Sequence, residues 1–78
     1  MKTVTIRLNT FNKVNEFVQL AGKTDLDIDL VSGRYVIDAK SIMGIFSLDL
    51  SKDIQMNVHY ENEADADKFI STVKKFLV

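Results

Sequence analysis

The sequence has 78 residues but no cysteine, no proline and no tryptophan. The absence of cysteine excludes a disulfide framework, a thiolate zinc site and a thiol nucleophile. Without proline, the turns must depend on Gly, Asn, Asp and Ser. No apolar run approaches the roughly 20 residues that a membrane-spanning helix needs, and no signal peptide is recognisable. We therefore expect a cytoplasmic protein that has no membrane partner.

An excess of charge of one sign is also lacking, because ten Lys and Arg residues stand against eleven Asp and Glu residues. The net charge of −1 supplies no field that would attract nucleic acid or an anionic lipid surface. Hydrophobic residues make up 46% of the chain, which is typical of a globular and not a disordered protein. A chain of this length has room for one core. We expect a single domain over residues 1–78 that is monomeric and does not bind nucleic acid directly.

Several segments alternate between apolar and polar residues, which is the pattern of a strand with one buried face. They are Lys2–Leu8, Leu26–Leu30, Tyr35–Ala39 and Ile54–Tyr60. Ser32 and Gly33 stand between the second and third segments, where they can turn the chain back into a hairpin. Strands with one apolar and one wet face are typical of an antiparallel sheet.

Two longer segments repeat apolar residues at intervals of three and four, which predicts amphipathic helices. Thr10 is placed to cap the first helix and Gly22 to end it, and Asn62 is placed to cap the last helix. The apolar residues are Phe11, Val14, Phe17, Val18 and Ala21 in the first helix, and Ala66, Phe69, Ile70, Val73, Phe76 and Leu77 in the last. A further, brief helix is predicted after Ser41.

The predicted order of elements is β-α-β-β-α-β-α. Both longer helices must cover the apolar face of the sheet, because each strand has only one such face. This gives an α+β fold, an open-faced α/β sandwich of two layers with a four-stranded antiparallel sheet and the helices on one face. The side chains expected in the core are Val4, Ile6, Leu8, Val14, Phe17, Val18, Ala21, Leu26, Ile28, Leu30, Tyr35, Ile37, Ile45, Leu48, Ile54, Met56, Val58, Phe69, Ile70, Val73 and Leu77.

Side chains with catalytic or metal-binding chemistry are few. His59 is the only histidine; it could be a base or a ligand, but alternation places it on the polar face, where we expect a solvated residue. Asp25, Asp27 and Asp29 form a row that could bind a cation, although such a row more often is solvated and discourages strand pairing. No nucleophile–base pair is recognisable. We therefore expect no enzyme activity, no cofactor and no metal.

The short helix after Ser41 departs from simple amphipathic patterning. With about 100° per residue, one side carries Ile45 and Leu48, and another side carries Ile42, Met43 and Phe46. If the first side is buried, the second forms an exposed apolar patch, a feature that usually marks a partner contact. The alternative, that neighbouring loops bury both sides, is equally open.

Ser41 itself has two interpretations. As an N-cap it would contribute about 1 kcal/mol, with its oxygen near the backbone N–H groups of Met43 and Gly44. It is also a candidate phosphorylation site, because free N–H groups and the helix dipole favour a phosphate at a helix N-terminus. A phosphate there would add negative charge beside the apolar patch without unfolding the chain.

The segment Lys40–Leu48 (KSIMGIFSL) resembles the regulatory serine motif of HPr, the small histidine-containing phosphocarrier family of the bacterial sugar phosphotransferase system. Phe17–Ala21 (FVQLA) is similar to the middle of that family's first helix, and the resemblance extends from Lys2 to Val78. It implies the sheet order 1-4-2-3, with the helices on one face.

The start of the first helix departs from the family pattern. HPr proteins carry a Gly-hydrophobic-His-Ala-Arg-Pro-Ala loop there, and its histidine is phosphorylated. In this sequence Thr10 stands at the histidine position, Asn12 and Lys13 replace the arginine and the proline, and the loop is shorter. No histidine precedes His59, so the resemblance implies that this site has lost phosphorelay through an imidazole.

The resemblance implies a regulatory function. Ser41 matches the serine that an HPr kinase/phosphorylase modifies, after which the phosphoserine form binds a LacI-type catabolite control protein. Ile42, Met43 and Phe46 match the family's docking patch, and Lys40 precedes the serine in the same motif. The chain is similar to family members that keep the serine, lack the histidine and act only in carbon catabolite regulation. Two alternatives stay open: a diverged carrier with another phosphoacceptor, and a plain protein-interaction module whose serine is only a cap.

Overall fold

The computed structural model of the protein describes all of residues 1–78. Its strands are β1 (Lys2–Ile6), β2 (Asp27–Ser32), β3 (Tyr35–Asp38) and β4 (Ile54–His59). Its helices are α1 (Phe11–Ala21), α2 (Ile42–Phe46) and α3 (Glu63–Thr72), and a 3₁₀ turn follows over Lys74–Phe76. This is the predicted order, and the strands end within two residues of the predicted positions. None of the helices combines the length and the apolar character that crossing a membrane requires.

The four strands form one antiparallel sheet in the order β1-β4-β2-β3, which confirms the expected topology. Met56 of the inner strand β4 faces Val4 of β1 on one side and Leu30 of β2 on the other. Along β4, buried residues alternate with more exposed ones, because successive residues of a strand point to opposite faces. One face of the sheet therefore carries the core beneath the helices, and the other face is open, as in the predicted two-layer sandwich.

The core is entirely hydrophobic, and no polar side chain is buried. Phe17 of α1 meets Phe76 of the final turn edge to face, with the ring centroids 5.8 Å apart. Among the predicted core residues, five are only partly buried against the core, namely Val4, Val18, Leu26, Ile37 and Ile70. The buried residues are Ile6, Leu8, Val14, Phe17, Ala21, Ile28, Leu30, Ala39, Ile45, Leu48, Ile54, Met56, Val58, Ala66, Phe69, Val73 and Phe76.

The prediction that Tyr35 lies in the core is wrong, because this residue is 63% exposed. Alternation along β3 places it on the same face as the partly buried Ile37. However, Tyr35 pairs with Ser32 beside the Gly33 turn, at the tip of the hairpin. The helical layer does not reach this tip, so a residue on the core-facing side of the sheet remains in solvent.

The prediction that Leu77 lies in the core is also wrong, and Phe76 is buried there instead. The helix α3 ends at Thr72, and the chain continues in a 3₁₀ turn. A 3₁₀ turn has about 3.0 residues per turn instead of about 3.6, so the inward-facing position no longer follows the α-helical spacing. Leu77 meets the sheet through its backbone, in a bridge to Ile6.

Two glycines give opposite expectations for replacement by alanine. Gly33 has a φ of 59°, in the left-handed region, so Gly33→Ala should lower the free energy of unfolding by about 1 kcal/mol. Gly22 ends α1 with a right-handed φ of −67°, and a Cβ there would lie 3.4 Å from the Val18 carbonyl oxygen. Gly22→Ala should therefore be neutral or stabilise by up to about 1 kcal/mol. Urea denaturation measures both changes; equal effects of the two substitutions would contradict this expectation.

Candidate functional site

Ser41 lies immediately before α2 and caps it, as the sequence predicts. Its Oγ accepts a hydrogen bond from the backbone N–H of Gly44 at 3.2 Å, and its carbonyl oxygen accepts one from Ile45 at 3.0 Å. Its own N–H donates to the carbonyl oxygen of Asp38 at 3.0 Å. The residue is nevertheless exposed. A hydroxyl group on a well-fixed backbone is thus available at the protein surface.

Gly44 leaves the room that this cap requires. A Cβ at position 44 would lie 3.1 Å from Ser41 Oγ and 3.5 Å from the side chain of Ile37. The first distance is shorter than an ordinary contact, so a larger residue would crowd the hydroxyl. Glycine at this position lets α2 approach β3 while the Ser41 oxygen keeps its hydrogen bond.

The two sides of α2 differ in exposure, which decides between the alternatives that the sequence left open. Ile45 is buried in the core, and so is Leu48 just beyond the helix. Met43 is 78% exposed and Phe46 is 38% exposed, whereas Ile42 is half-buried and packs against the core. Neighbouring loops therefore do not cover the second side, and its outer part is an exposed apolar patch.

Phe11 extends this patch, although its spacing assigned it to the apolar face of α1. The residue is 64% exposed, and its ring stacks on that of Phe46 with the centroids 5.5 Å apart and the planes at 21°. Phe11 is the first residue of α1, so it lies where the helix extends beyond the core and meets α2. We call Phe11, Met43, Phe46 and the exposed edge of Ile42 the α2 surface.

Thr10 lies beside this surface and begins α1. Its hydroxyl oxygen accepts a hydrogen bond from the backbone N–H of Lys13 at 3.1 Å, and its carbonyl oxygen accepts one from Val14 at 3.1 Å. The Nζ of Lys13 donates to Asn9 Oδ1 at 3.0 Å. Thr10 is therefore the predicted N-cap, and the polar groups around it fix the start of the helix.

Lys40, which precedes Ser41, is exposed but has a structural contact. Its Nζ donates to the carbonyl oxygen of Thr24 at 2.6 Å, and its backbone N–H donates to Asp38 Oδ1 at 2.8 Å. These bonds tie the segment before α2 to the connection between α1 and β2. The ammonium group of Lys40 is thus engaged at this connection and not with the Ser41 hydroxyl.

The connection from α2 to β4 is held by short-range hydrogen bonds. The hydroxyl of Ser51 donates to Asp49 Oδ1 at 2.5 Å and its backbone N–H does so at 3.1 Å. These bonds, the hydroxyl first, hold the pKa of the Asp49 carboxyl below its usual value. Arg7 Nε donates to Asp53 Oδ1 at 2.8 Å. The helix α2 is therefore anchored through the segments on both of its sides.

His59 lies on the open face of the sheet, in agreement with the polar face that alternation assigned to it. Its Nε2 lies 2.8 Å from Asp29 Oδ2 on the neighbouring strand β2. On the same face, Gln55 Nε2 donates to Asn57 Oδ1 at 2.9 Å. No group of three or more His, Asp and Glu side chains is arranged to hold a metal ion. The structure thus brings one member of the acidic row to the histidine and does not gather the row around a cation site.

A shallow cleft of about 860 Å³ lies between the end of α1, the start of β2, the end of β4 and one side of α3. Charged residues of both signs, lysines and carboxylates, line it together with His59, but neither Ser41 nor any residue of the α2 surface does. The cleft and the α2 surface are therefore separate features.

Comparisons with known proteins agree on one family. The sequence model of the family described as PTS HPr component phosphorylation site matches residues 11–78, a range that includes Ser41 and the α2 surface and begins one residue after Thr10. The structure is similar to that of HPr-C-His from Thermoanaerobacter tengcongensis, with a TM-score of 0.74 and 30% identity over 94% of this chain and 90% of that chain.

Two further solved structures are similar. The phosphocarrier protein HPr from Bacillus anthracis str. Ames has a TM-score of 0.76 and 26% identity, over 99% of this chain and 94% of that chain. The histidine-containing phosphocarrier protein of Mycoplasma has a TM-score of 0.73 over 95% of this chain and 86% of that chain. At 18% identity, the Mycoplasma protein shows a shared fold alone.

Proposed function

Because the chain belongs to the HPr family of the phosphotransferase system, we propose that it is a regulatory protein that works through Ser41 and is not a histidine phosphocarrier. The observation that carries this proposal is the position of Ser41, whose exposed hydroxyl lies directly beside the exposed α2 surface. A phosphate on this oxygen would place negative charge at the rim of an apolar docking surface. Modification would then change the choice of partner without a change of fold.

The proposal excludes a phosphohistidine relay at the start of α1. The resemblance places the family's phosphohistidine at Thr10, whose hydroxyl caps the helix. A phosphothreonine ester transfers its phosphoryl group far less readily than a phosphoimidazole. The single histidine, His59, is bonded to Asp29 on the open face of the sheet, in a different element. Neither residue reproduces an imidazole at the start of the first helix.

Ser41 is a suitable acceptor for a phosphoryl group from ATP. Its oxygen is exposed, and transfer of the γ-phosphoryl group would release ADP and the hydroxyl proton. A phosphate oxygen could continue to accept the hydrogen bond from the Gly44 N–H, and charge-assisted bonds of this kind are stronger than neutral ones. We therefore expect the cap of α2 to survive phosphorylation.

The proposed partners are an HPr kinase/phosphorylase, which would modify Ser41, and a LacI-type catabolite control protein, which would bind the phosphorylated form in the cytoplasm. The second partner needs an arginine for the phosphate beside an apolar pocket for Met43 and Phe46. Lys40 would contribute at the rim. The protein would thus serve carbon catabolite regulation through protein–protein contacts, without catalysing a reaction.

The proposal predicts which phosphoryl donor modifies the chain. Incubation with ATP and an HPr kinase should add one phosphate to the wild-type chain, measured by mass spectrometry. Ser41→Ala should not be modified. Ser47→Ala is the matched control, because Ser47 is also exposed beside α2 and its hydroxyl donates to the Gly44 carbonyl oxygen. It should be modified as fully as the wild type.

A parallel incubation with phosphoenolpyruvate and enzyme I tests the alternative that the chain is a diverged carrier with another phosphoacceptor. The proposal expects no phosphate from this donor. Transfer to the wild type would contradict a purely regulatory role, and its loss in His59→Gln or Thr10→Val would identify the acceptor. If neither donor modifies the chain, the plain interaction module, in which Ser41 is only a cap, becomes the better description.

A further inference from the structure

The sulfur atoms of this protein all belong to methionines. The sequence has three methionines and neither cysteine nor tryptophan. Cysteine thiolates are the side chains that usually react first with peroxides, and this chain has none. A mild oxidant therefore meets thioethers as the most readily oxidised groups, and the exposure of each thioether decides which of them reacts.

The three thioethers differ in their exposure to solvent. Met56 lies in β4 and has no exposed surface, because it belongs to the hydrophobic core. Met1 is 63% exposed, and Met43 is 78% exposed, the highest value among the large hydrophobic residues. Two methionines are thus open to an oxidant in solution, and only Met43 lies in the α2 surface.

The fold around Met43 does not depend on the Met43 side chain. The Ser41 hydroxyl caps α2 through its bond to the Gly44 N–H, and Ile45 anchors the helix in the core. An oxygen atom added to the exposed thioether would remain in water, and changes at exposed positions usually alter stability little. We therefore expect the oxidised chain to keep its fold.

The same oxygen atom would change the chemistry of the α2 surface. A thioether is flexible, polarizable and apolar, which suits packing into a pocket of a partner. A sulfoxide is polar, so it would have to give up its water in an apolar pocket without an equivalent hydrogen bond. Oxidation should therefore weaken any contact that buries the Met43 side chain.

We propose that Met43 is a site of reversible oxidation and that its sulfoxide switches off docking through the α2 surface; the switch rests on the function proposed above for that surface. The oxidant is hydrogen peroxide. The sulfur lone pair attacks one peroxide oxygen, the O–O bond breaks, an S–O bond forms, and water is released. The sulfur loses two electrons, which the peroxide gains.

Methionine sulfoxide reductases reverse the modification. Two thiols supply the two electrons and become a disulfide, the oxygen leaves as water, and the thioether is restored. The α2 surface would then respond to two opposing modifications. A phosphate on Ser41 would complete the surface that the phosphate-dependent partner binds, whereas an oxygen on Met43 would prevent the same contact.

Peptide mass spectrometry of the full chain after limited treatment with hydrogen peroxide tests the site. Met43 and Met1 should each gain one oxygen, and Met56 should gain none. In urea all three should be oxidised at similar rates, because burial alone protects Met56. Oxidation of Met43 no faster than that of Met56 in the folded chain overturns the site, and so does a Met43 sulfoxide that the two reductases, one for each epimer, leave unreduced.

Thermal unfolding, followed by circular dichroism, shows whether the oxidised chain keeps its fold. The unfolding midpoint should change by less than about 4 °C, as expected for a change at an exposed side chain. A larger loss of thermal stability, or a changed spectrum at room temperature, would mean that oxidation damages the fold. That result overturns a switch that acts only at the surface.

Titration calorimetry with a LacI-type control protein, after the peroxide has been removed, tests the switch. The oxidised Ser41-phosphorylated chain should bind at least about tenfold more weakly than the same chain before oxidation, and the reductases should restore its affinity. Met43→Leu is the control, because it lacks the thioether at position 43 but keeps Met1. Whatever its affinity before treatment, that affinity should be the same after peroxide.

The outcomes separate this inference from the function on which it rests. Equal affinity of the wild-type chain before and after oxidation overturns the switch and leaves the proposed function intact. An equal loss of affinity in Met43→Leu also overturns it, because the effect then comes from another residue. A phosphorylated chain that does not bind even before oxidation overturns the proposed function, and the switch with it.

Discussion

Replacement of Phe17 by alanine should lower the free energy of unfolding by about 3–5 kcal/mol. The Phe17 ring is fully buried and meets Phe76 edge to face. Its removal leaves a cavity between α1 and the final turn, which close-packed neighbours fill only in part. A domain of this kind has a total stability of about 5–15 kcal/mol. The variant should therefore unfold at a much lower urea concentration, measured by far-ultraviolet circular dichroism.

Phe11→Ala is the matched control, since it is the same substitution in the same helix. Phe11 is largely exposed and stacks only on Phe46, so the free energy of unfolding should fall by about 1 kcal/mol or less. A loss below about 1 kcal/mol in Phe17→Ala, or similar losses in both variants, would contradict the difference in burial between the two rings.

These two phenylalanines show what the spacing of apolar residues in a helix predicts about burial and what it does not. The spacing of apolar residues identifies the side of α1 that faces the core, and Val14, Phe17 and Ala21 are buried as it predicts. The spacing does not show where the layer beneath the helix ends. Phe11 lies beyond that end and meets Phe46, a residue distant in sequence, so this contact depends on the packing of α1 against α2.

The strands and the C-terminal segment show the same limit: the periodicity of the sequence assigns a face to a residue but does not show whether that residue is buried. Alternation assigned the correct face to the residues of β4, because both neighbouring strands and the helices cover that strand. At the hairpin tip the face of Tyr35 follows from alternation, but its exposure depends on the reach of the helices. Phe76 replaces Leu77 in the core because a 3₁₀ turn changes the periodicity after α3, and no residue in that segment signals the change.

The Ser41 site was predictable where it depends on local chemistry. A serine before a short apolar segment indicates an N-cap, and the structure gives this cap its Gly44 partner. Local spacing also assigned Ile45 and Met43 to different sides of α2, but it could not show which of the two sides is buried. That outcome depends on the position of α2 between β3 and α1. The bond from Lys40 to the Thr24 carbonyl oxygen likewise joins segments that the sequence pattern does not connect.

The proposed docking role of the α2 surface predicts the effect of a charge placed within it. In the Ser41-phosphorylated chain, Met43→Glu should weaken binding to a LacI-type control protein by about 10–100-fold, or about 1.4–2.7 kcal/mol. Met43 is largely exposed, so the substitution should leave stability almost unchanged. On docking, however, the new carboxylate would have to lose its water in an apolar pocket close to the phosphate.

Val36→Glu provides the matched control for Met43→Glu, since it places the same carboxylate at another exposed apolar position. Val36 lies in β3 on the open face of the sheet, whereas α2 packs on the helical side against Ile37. Titration calorimetry of each phosphorylated variant measures the difference. The Val36→Glu chain should bind like the wild type. Equal weakening by both substitutions would indicate a general effect of added charge. Unchanged binding of Met43→Glu would show that the docking surface lies elsewhere, because replacing a central apolar contact by a carboxylate must lower the affinity.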